Sequence, residues 1–63
     1  MQTEASVIAD GIAEEMGQYP DLARLSTQRL IADIQAKFVV PWNTAFHAAN
    51  RFRESLRRAA DGR

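Results

Sequence analysis

Two prolines, Pro20 and Pro41, divide the chain into three segments, and each segment repeats its apolar residues every three or four positions. Proline disfavours helical geometry in the residue before it, so Tyr19 and Val40 are expected to lie outside the helices. The spacing within each segment is typical of an amphipathic α-helix with one apolar stripe. The sequence therefore predicts an all-α protein, with residues 1–63 forming a single small helical domain.

The first segment predicts a helix over about residues 4–16. We expect Thr3 to be its N-cap and Gly17 to be the left-handed residue that follows its end. The stripe that should face the core consists of Ala5, Ile8, Ala9, Ile12 and Met16.

The second segment predicts a helix over about residues 22–38. Asp21 is expected to cap its first turn, and Ser26 or Thr27 to open its regular part, about residues 27–38. Its apolar stripe consists of Leu30, Ile31, Ile34 and Phe38.

The third segment predicts a helix over about residues 41–60, with Pro41 at the first position. Arg53 lies at the edge of its stripe, where we expect the guanidinium to reach solvent or to pair with Glu14 or Glu15. Three amphipathic helices joined by short connections bury their stripes as a three-helix bundle. The stripe of the third helix consists of Trp42, Ala45, Phe46, Ala49, Phe52, Leu56 and Ala59.

The small size of the chain predicts self-association. A chain of 63 residues buries only about 60% of the surface that its unfolded form exposes, so its core supplies little net stability. Cysteine is absent and His47 is the only histidine, which excludes disulfides and cysteine-ligated zinc and leaves no evident metal site. Association with a second copy is the remaining common way to stabilise such a core.

The composition argues against several functional classes. Apolar residues make up 46% and charged residues 25% of the chain, the balance of a globular protein. No apolar run approaches the roughly 20 residues that span a bilayer, and no secretory signal is evident, so we expect a cytoplasmic protein that does not bind membranes. Met1 favours a complete small protein. We predict no enzyme activity, catalytic residue or cofactor, since His47 has no evident serine partner and Glu14 and Glu15 point apart on a helix.

The charge distribution leaves DNA binding open as an alternative. Three basic and six acidic residues precede Phe38, whereas five basic and two acidic residues follow it. If the second and third helices formed a helix-turn-helix, the third would lie in the major groove. Its outward polar residues would then contact bases, and neighbouring basic residues would contact phosphates. The base-reading set would be Asn43, His47, Asn50 and Arg51, and the phosphate-contacting set Lys37, Arg57 and Arg58.

Two positions weigh against a helix-turn-helix. Gln35 stands where the first helix of the motif usually carries a small residue, and Val39 stands where a glycine usually makes the turn. Val39 is β-branched and poorly suited to positive φ. The isoelectric point near 6.5 is also low for a DNA-binding domain. We therefore interpret the polar face of the third helix as solvated surface and keep DNA binding as the alternative.

The stretch YPDLARLSTQRLIADIQAKF, followed by Phe46, resembles a family of small actinobacterial three-helix-bundle dimerisation domains. The shared features are Tyr19-Pro20-Asp21 in the first connection, a second helix closing with Phe38, Phe46 eight residues later, and an arginine-bearing third helix. In that third helix, WNTAFHAANRF replaces a more aliphatic run containing proline. The resemblance covers most of the chain. It implies a non-enzymatic dimerisation module, of a kind that occurs alone or ahead of enzymes such as arsenate reductases.

The predicted function is a non-enzymatic helical interaction module that homodimerises. A lone chain forgoes about 1.5 to 3 kcal/mol for each large apolar side chain that it leaves in water. A closed monomer that shields Trp42 and both nearby phenylalanines would contradict this prediction. The expected interface lies around the start of the third helix and comprises Val39, Val40, Trp42, Phe46 and Ala49.

Overall fold

The computed structural model describes residues 4–62, which form three α-helices and one short 3₁₀ turn. Helix α1 spans Glu4–Met16, the 3₁₀ turn Pro20–Arg24, α2 Thr27–Phe38 and α3 Trp42–Asp61. Within this part of the chain there is no strand, and α3 packs against both other helices. The predicted all-α three-helix bundle is confirmed.

Helix α1 has the predicted bounds but ends differently. Thr3, its expected N-cap, lies outside the described residues. Gly17 was expected to be left-handed, which is wrong because its φ is not positive. The chain instead tightens into three-residue turns, in which the Tyr19 N–H donates to the Met16 carbonyl at 2.8 Å. Such i→i−3 bonds satisfy the last carbonyls of a helix without a reversal of φ.

The predicted helix over residues 22–38 is two elements. The 3₁₀ turn begins at Pro20, so Asp21 lies inside the turn and does not cap it. Extended backbone at Leu25 and Ser26 separates this turn from α2. Ser26 is the N-cap of α2, and its side chain accepts a hydrogen bond from the Arg29 N–H at 3.2 Å. The regular part of this helix therefore begins where the cap residue in the sequence predicted.

Helix α3 begins one residue later than predicted. Pro41 is its N-cap, with φ −68° and ψ 163°, and its carbonyl accepts the Ala45 N–H at 3.0 Å. Proline fixes φ near this value in either role, so the difference lies in ψ, which is extended at the N-cap. The helix continues to Asp61.

The core is centred on α3. Phe52 of α3 and Leu30 of α2 are its largest fully buried side chains. Three alanines of α3 are fully buried, and such small side chains let neighbouring helices approach closely. The buried apolar residues are Ala9, Ile12, Met16, Leu30, Ile31, Ile34, Ala45, Ala48, Ala49 and Phe52.

The predicted stripe of α1 is wrong at its start. Ala5 is exposed. Ile8 is 44% exposed, and its neighbour Val7 is 55% exposed. Burial begins at Ala9 and continues to Met16. The first turns of α1 therefore add apolar surface to the outside of the molecule.

The three helices form a flat arrangement. The Cα atoms extend over 34 × 29 × 16 Å, and contacts between α1 and α2 are sparse compared with those that each makes with α3. Helix α3 therefore lies between the other two.

Candidate interaction surface

The connection between α2 and α3 holds an unusual backbone conformation. Val39 has φ 52° and ψ 58°, and within residues 4–62 no other residue, glycines included, has a positive φ. Its N–H donates to the Gln35 carbonyl at 3.0 Å, which closes the end of α2. Val39 adopts the turn conformation although its β-branched side chain is poorly suited to positive φ. For a residue other than glycine the left-handed region costs about 1 to 2 kcal/mol.

Apolar side chains gather around this connection and form what we call the junction surface, defined as Val39, Val40, Trp42 and Phe46. Val39 is 86% exposed and Trp42 is 54% exposed. Val40 and Phe46 are half-buried and pack against the core from its edge. The junction surface thus combines two exposed side chains with two that connect them to the core.

The aromatic rings of the junction surface are ordered by helix geometry. Trp42 and Phe46 are four residues apart, one turn of α3, and their rings stack with centroids 5.0 Å apart at 8°. The edge-on ring of His47 follows, with its centroid 5.8 Å from that of Phe46. Because Trp42 stacks on a half-buried ring, its indole is held against the helix while its outer face meets solvent.

The predicted interface residues therefore separate into two groups. Val39, Val40, Trp42 and Phe46 lie together at the connection, and Trp42 is not shielded as a closed monomer would require. Ala49 has no exposed surface and lies in the core between helices of one chain. It does not belong to the junction surface, because its small side chain serves the close packing of α3.

The residues proposed for DNA contact also separate. Asn43, His47 and Asn50 are exposed at spacings of four and three residues, which places them on one side of α3. Arg57 is exposed in the later turns. Arg58, also exposed, lies 3.9 Å from the Glu54 carboxylate of the same helix.

Arg51 differs from these residues because it links α3 to α1. Its Nε lies 2.8 Å from a carboxylate oxygen of Asp10, and its Nη2 donates to the Ser6 hydroxyl at 3.1 Å. Both charged side chains are somewhat less than half exposed. The sequence interpretation of Arg51 as free surface missed this contact, since spacing within α3 carries no information on which residue of α1 lies opposite.

Arg53 was predicted to reach solvent or to pair with an acid such as Glu14 or Glu15, and the pairing is wrong. Its Nη2 donates to the Leu25 carbonyl at 2.6 Å, next to the start of α2, and its buried Nε has no hydrogen-bond partner. A guanidinium N–H that donates to a backbone carbonyl makes a charge-assisted hydrogen bond. Arg53 therefore ties α3 to the connection before α2.

The described residues contain open grooves but no evident chemical centre. A groove of about 310 Å³ between α1 and α3 is lined by charged residues that include Asp10, Glu14 and Arg51, and another of about 350 Å³ lies beside Asn50 and Arg57. Both are open to solvent. Across residues 4–62 no group of three or more histidine, aspartate or glutamate side chains is placed to hold a metal ion. None of the helices in this range has the length and hydropathy of a membrane-spanning segment.

No protein-family model matches the chain, and no curated protein or solved structure matches it either. The resemblance to three-helix-bundle dimerisation domains therefore stays a prediction.

Proposed function

We propose that this protein is a non-enzymatic interaction module that forms a homodimer through the junction surface. The observation that supports this most directly is the exposure of Trp42, which is 54% exposed and lies close to Val39, which is 86% exposed. Aromatic residues held rigidly on a surface are typical anchors of protein interfaces. Burying these side chains against a second chain would add to the stability that the small core provides.

The total surface of the chain supports the same proposal. A closed monomer of 7.1 kDa is expected to expose about 4,100 Å², whereas this chain exposes 4696 Å². The excess of about 600 Å² is close to the roughly 800 Å² that each partner buries in a standard interface. A flat layer of helices encloses less than a globule does, and the extents of 34 × 29 × 16 Å agree with this excess.

A second copy is the partner that this evidence favours. The net charge is zero, so two copies carry no net charge that would make them repel each other. A two-fold dimer would also place each Trp42 and Val39 against the same surface of the partner.

Trp42→Asp tests the proposal. We expect the wild type to be a dimer at micromolar concentration and the variant to be a monomer, because a carboxylate in an apolar interface leaves a buried charge unpaired. Sedimentation equilibrium over a range of concentrations measures the molecular mass of both proteins in solution. Trp42 is more suitable than Phe46 for this change, because Phe46 packs against the core and Phe46→Asp could unfold the chain.

Val7→Asp is the matched control. Val7 is 55% exposed on α1, so the change introduces the same charge at an equally exposed apolar residue outside the junction surface. It should leave the dimer intact. A wild type that stays monomeric at high concentration would refute the proposal, and loss of the dimer in both variants would place the interface elsewhere.

DNA binding is retained as a second candidate because of one observation. The left-handed Val39 supplies the turn conformation that the sequence argued against, and it precedes a helix whose Asn43, His47 and Asn50 are exposed on one side. Asparagine in this setting pairs with adenine in the major groove. Against this candidate, Arg51 is already engaged by Asp10.

The second candidate has its own test. If α3 reads DNA, Asn50→Ala should weaken binding to a selected duplex by about tenfold or more, whereas Arg29→Ala on α2 should not. Gel shifts at several salt concentrations measure the affinity and its salt dependence. Failure of the wild type to select any duplex from a random pool would exclude this candidate.

A further inference from the structure

Val39 combines two properties that are both unfavourable within a single chain. Its backbone lies in the left-handed region, at φ 52° and ψ 58°, which a β-branched side chain tolerates poorly. Its side chain is 86% exposed, so burial within the chain does not offset that strain. It is also not among the half-buried residues that pack against the core. Glycine or asparagine at this position would relieve the strain at little loss of intrachain contact.

We infer that Val39 is a contact residue of the homodimer, where its isopropyl group packs against the second copy of the chain. This inference rests on the proposed function and identifies the residue that the interface uses most directly. Strained residues persist where an interaction outside local structure compensates for them. The compensating interaction here is apolar burial, since valine offers a partner nothing else.

The position of Val39 fits a second copy as the occupant. The residue stands at the tip of the connection between α2 and α3, and Trp42 follows three residues later at the start of α3. A two-fold axis near this connection would bring Val39 of one chain onto the stacked Trp42 and Phe46 rings of the other, and the reverse contact would follow by symmetry. The excess of exposed surface described above is sufficient for an interface of this kind.

The test separates strain from contact by using Val39→Gly and Val39→Ile. Val39→Gly removes both the strain and the isopropyl group, so the dimer should dissociate about tenfold or more readily. Val39→Ile keeps a β-branched apolar side chain and should dimerise like the wild type. Sedimentation equilibrium gives the dissociation constants of all three proteins.

The strain is measured in the monomer by adding Val39→Gly to Trp42→Asp. The double variant should unfold at a higher urea concentration than Trp42→Asp alone, because glycine adopts positive φ without steric conflict. The same substitution would then stabilise the monomer and weaken the dimer.

Each result has one consequence. A dimer that is unaffected by Val39→Gly while Trp42→Asp dissociates it would overturn the role of Val39 and leave the proposed function standing. A wild type that is monomeric at all concentrations would overturn both. A Trp42→Asp monomer that Val39→Gly fails to stabilise would also count against the inference, because the strain that motivates it would be absent.

Discussion

Val39 and Arg53 each place an unfavourable group at a connection between helices. Val39 adopts a left-handed backbone with its side chain in solvent, and Arg53 has a buried Nε without a partner. Each residue also donates a hydrogen bond to a backbone carbonyl, from the Val39 N–H to Gln35 and from the Arg53 Nη2 to Leu25. Hydrogen bonds to backbone carbonyls therefore stabilise the connections, and the spacing of residues in the sequence does not predict them.

Arg53→Met should destabilise the fold. The methionine retains an apolar stem of similar length but removes the donor to the Leu25 carbonyl, and a lost charged hydrogen bond costs about 1.5 to 3 kcal/mol. Removal of the unpartnered Nε offsets part of this loss, so we expect a net decrease of about 1 kcal/mol in the free energy of unfolding.

Urea denaturation measures this change, and Arg57→Met is its control. Arg57 lies one turn later on α3 and is exposed, so its replacement should alter stability by less than about 0.5 kcal/mol. Equal effects of the two substitutions would show that the Leu25 contact contributes nothing.

At the scale of the elements, α1 has the fewest local features that stabilise a helix. It carries Gly11 in its middle, exposes Val7 and Ile8, and has no basic residue in its last turn. Helix α2 has the Ser26 cap, and α3 has twenty residues of which five are buried. The stability of α1 therefore depends on its packing against α3 and on the Arg51 contact with Asp10.

Gly11→Ala should stabilise the protein by about 0.5 to 1 kcal/mol. Glycine inside a helix loses more backbone entropy on folding than alanine does, and a Cβ at Gly11 would meet no atom within 4 Å. For a domain of this size, the melting temperature should rise by about 2 to 8 °C.

Gly17→Ala is the matched control for this change. A Cβ there would lie 3.2 Å from the Glu14 carbonyl oxygen, a tight contact that opposes the entropic gain. Calorimetry should show a rise for Gly11→Ala and a smaller rise or none for Gly17→Ala. The reverse order would mean that α1 is not limited by its central glycine.

The bounds of the helices could be predicted because the residues that set them act locally. Ser26 accepts a hydrogen bond three residues ahead, and Pro41 disfavours helix in the residue before it, whatever the rest of the chain does. The division of residues 22–38 into two elements was missed. Extended backbone at Leu25 places its carbonyl against Arg53, a residue 28 positions away.

At the scale of the whole molecule, the flat arrangement leaves α3 to contact both neighbours while α1 and α2 barely meet. Most of the long-range contacts between the helices therefore involve α3. If the proposed dimer forms, a second copy covers part of the exposed apolar surface, and the stability should then depend on concentration.

The melting temperature of the wild type should rise with protein concentration. If dimerisation and folding are coupled, we expect about 5 °C for each tenfold increase, from the unfolding enthalpy of two 63-residue chains. The melting temperature of Trp42→Asp should be independent of concentration. Calorimetry between about 10 μM and 1 mM covers the range in which such linkage is visible, and a constant wild-type value would argue against a coupled dimer.

The candidate site was predictable in its apolar residues and unpredictable in its geometry. Val39, Val40, Trp42 and Phe46 stand out in the sequence as large side chains around Pro41, and they lie together because they are neighbours along the chain. Ala49 continues the same stripe, yet it is buried because α3 turns that part of its stripe toward the other helices. Periodicity identifies a stripe but does not tell where along it the core ends.

What the sequence determined by itself is the number, type and approximate limits of the helices, since caps, prolines and apolar spacing act over three or four residues. The tertiary structure alone decided the left-handed turn at Val39, the partners of Arg51 and Arg53, and which ends of the stripes stay in solvent. These features depend on which residues meet across helices. The contacts between helices are those that minimise the free energy of the whole packed chain, and no local sequence pattern predicts them.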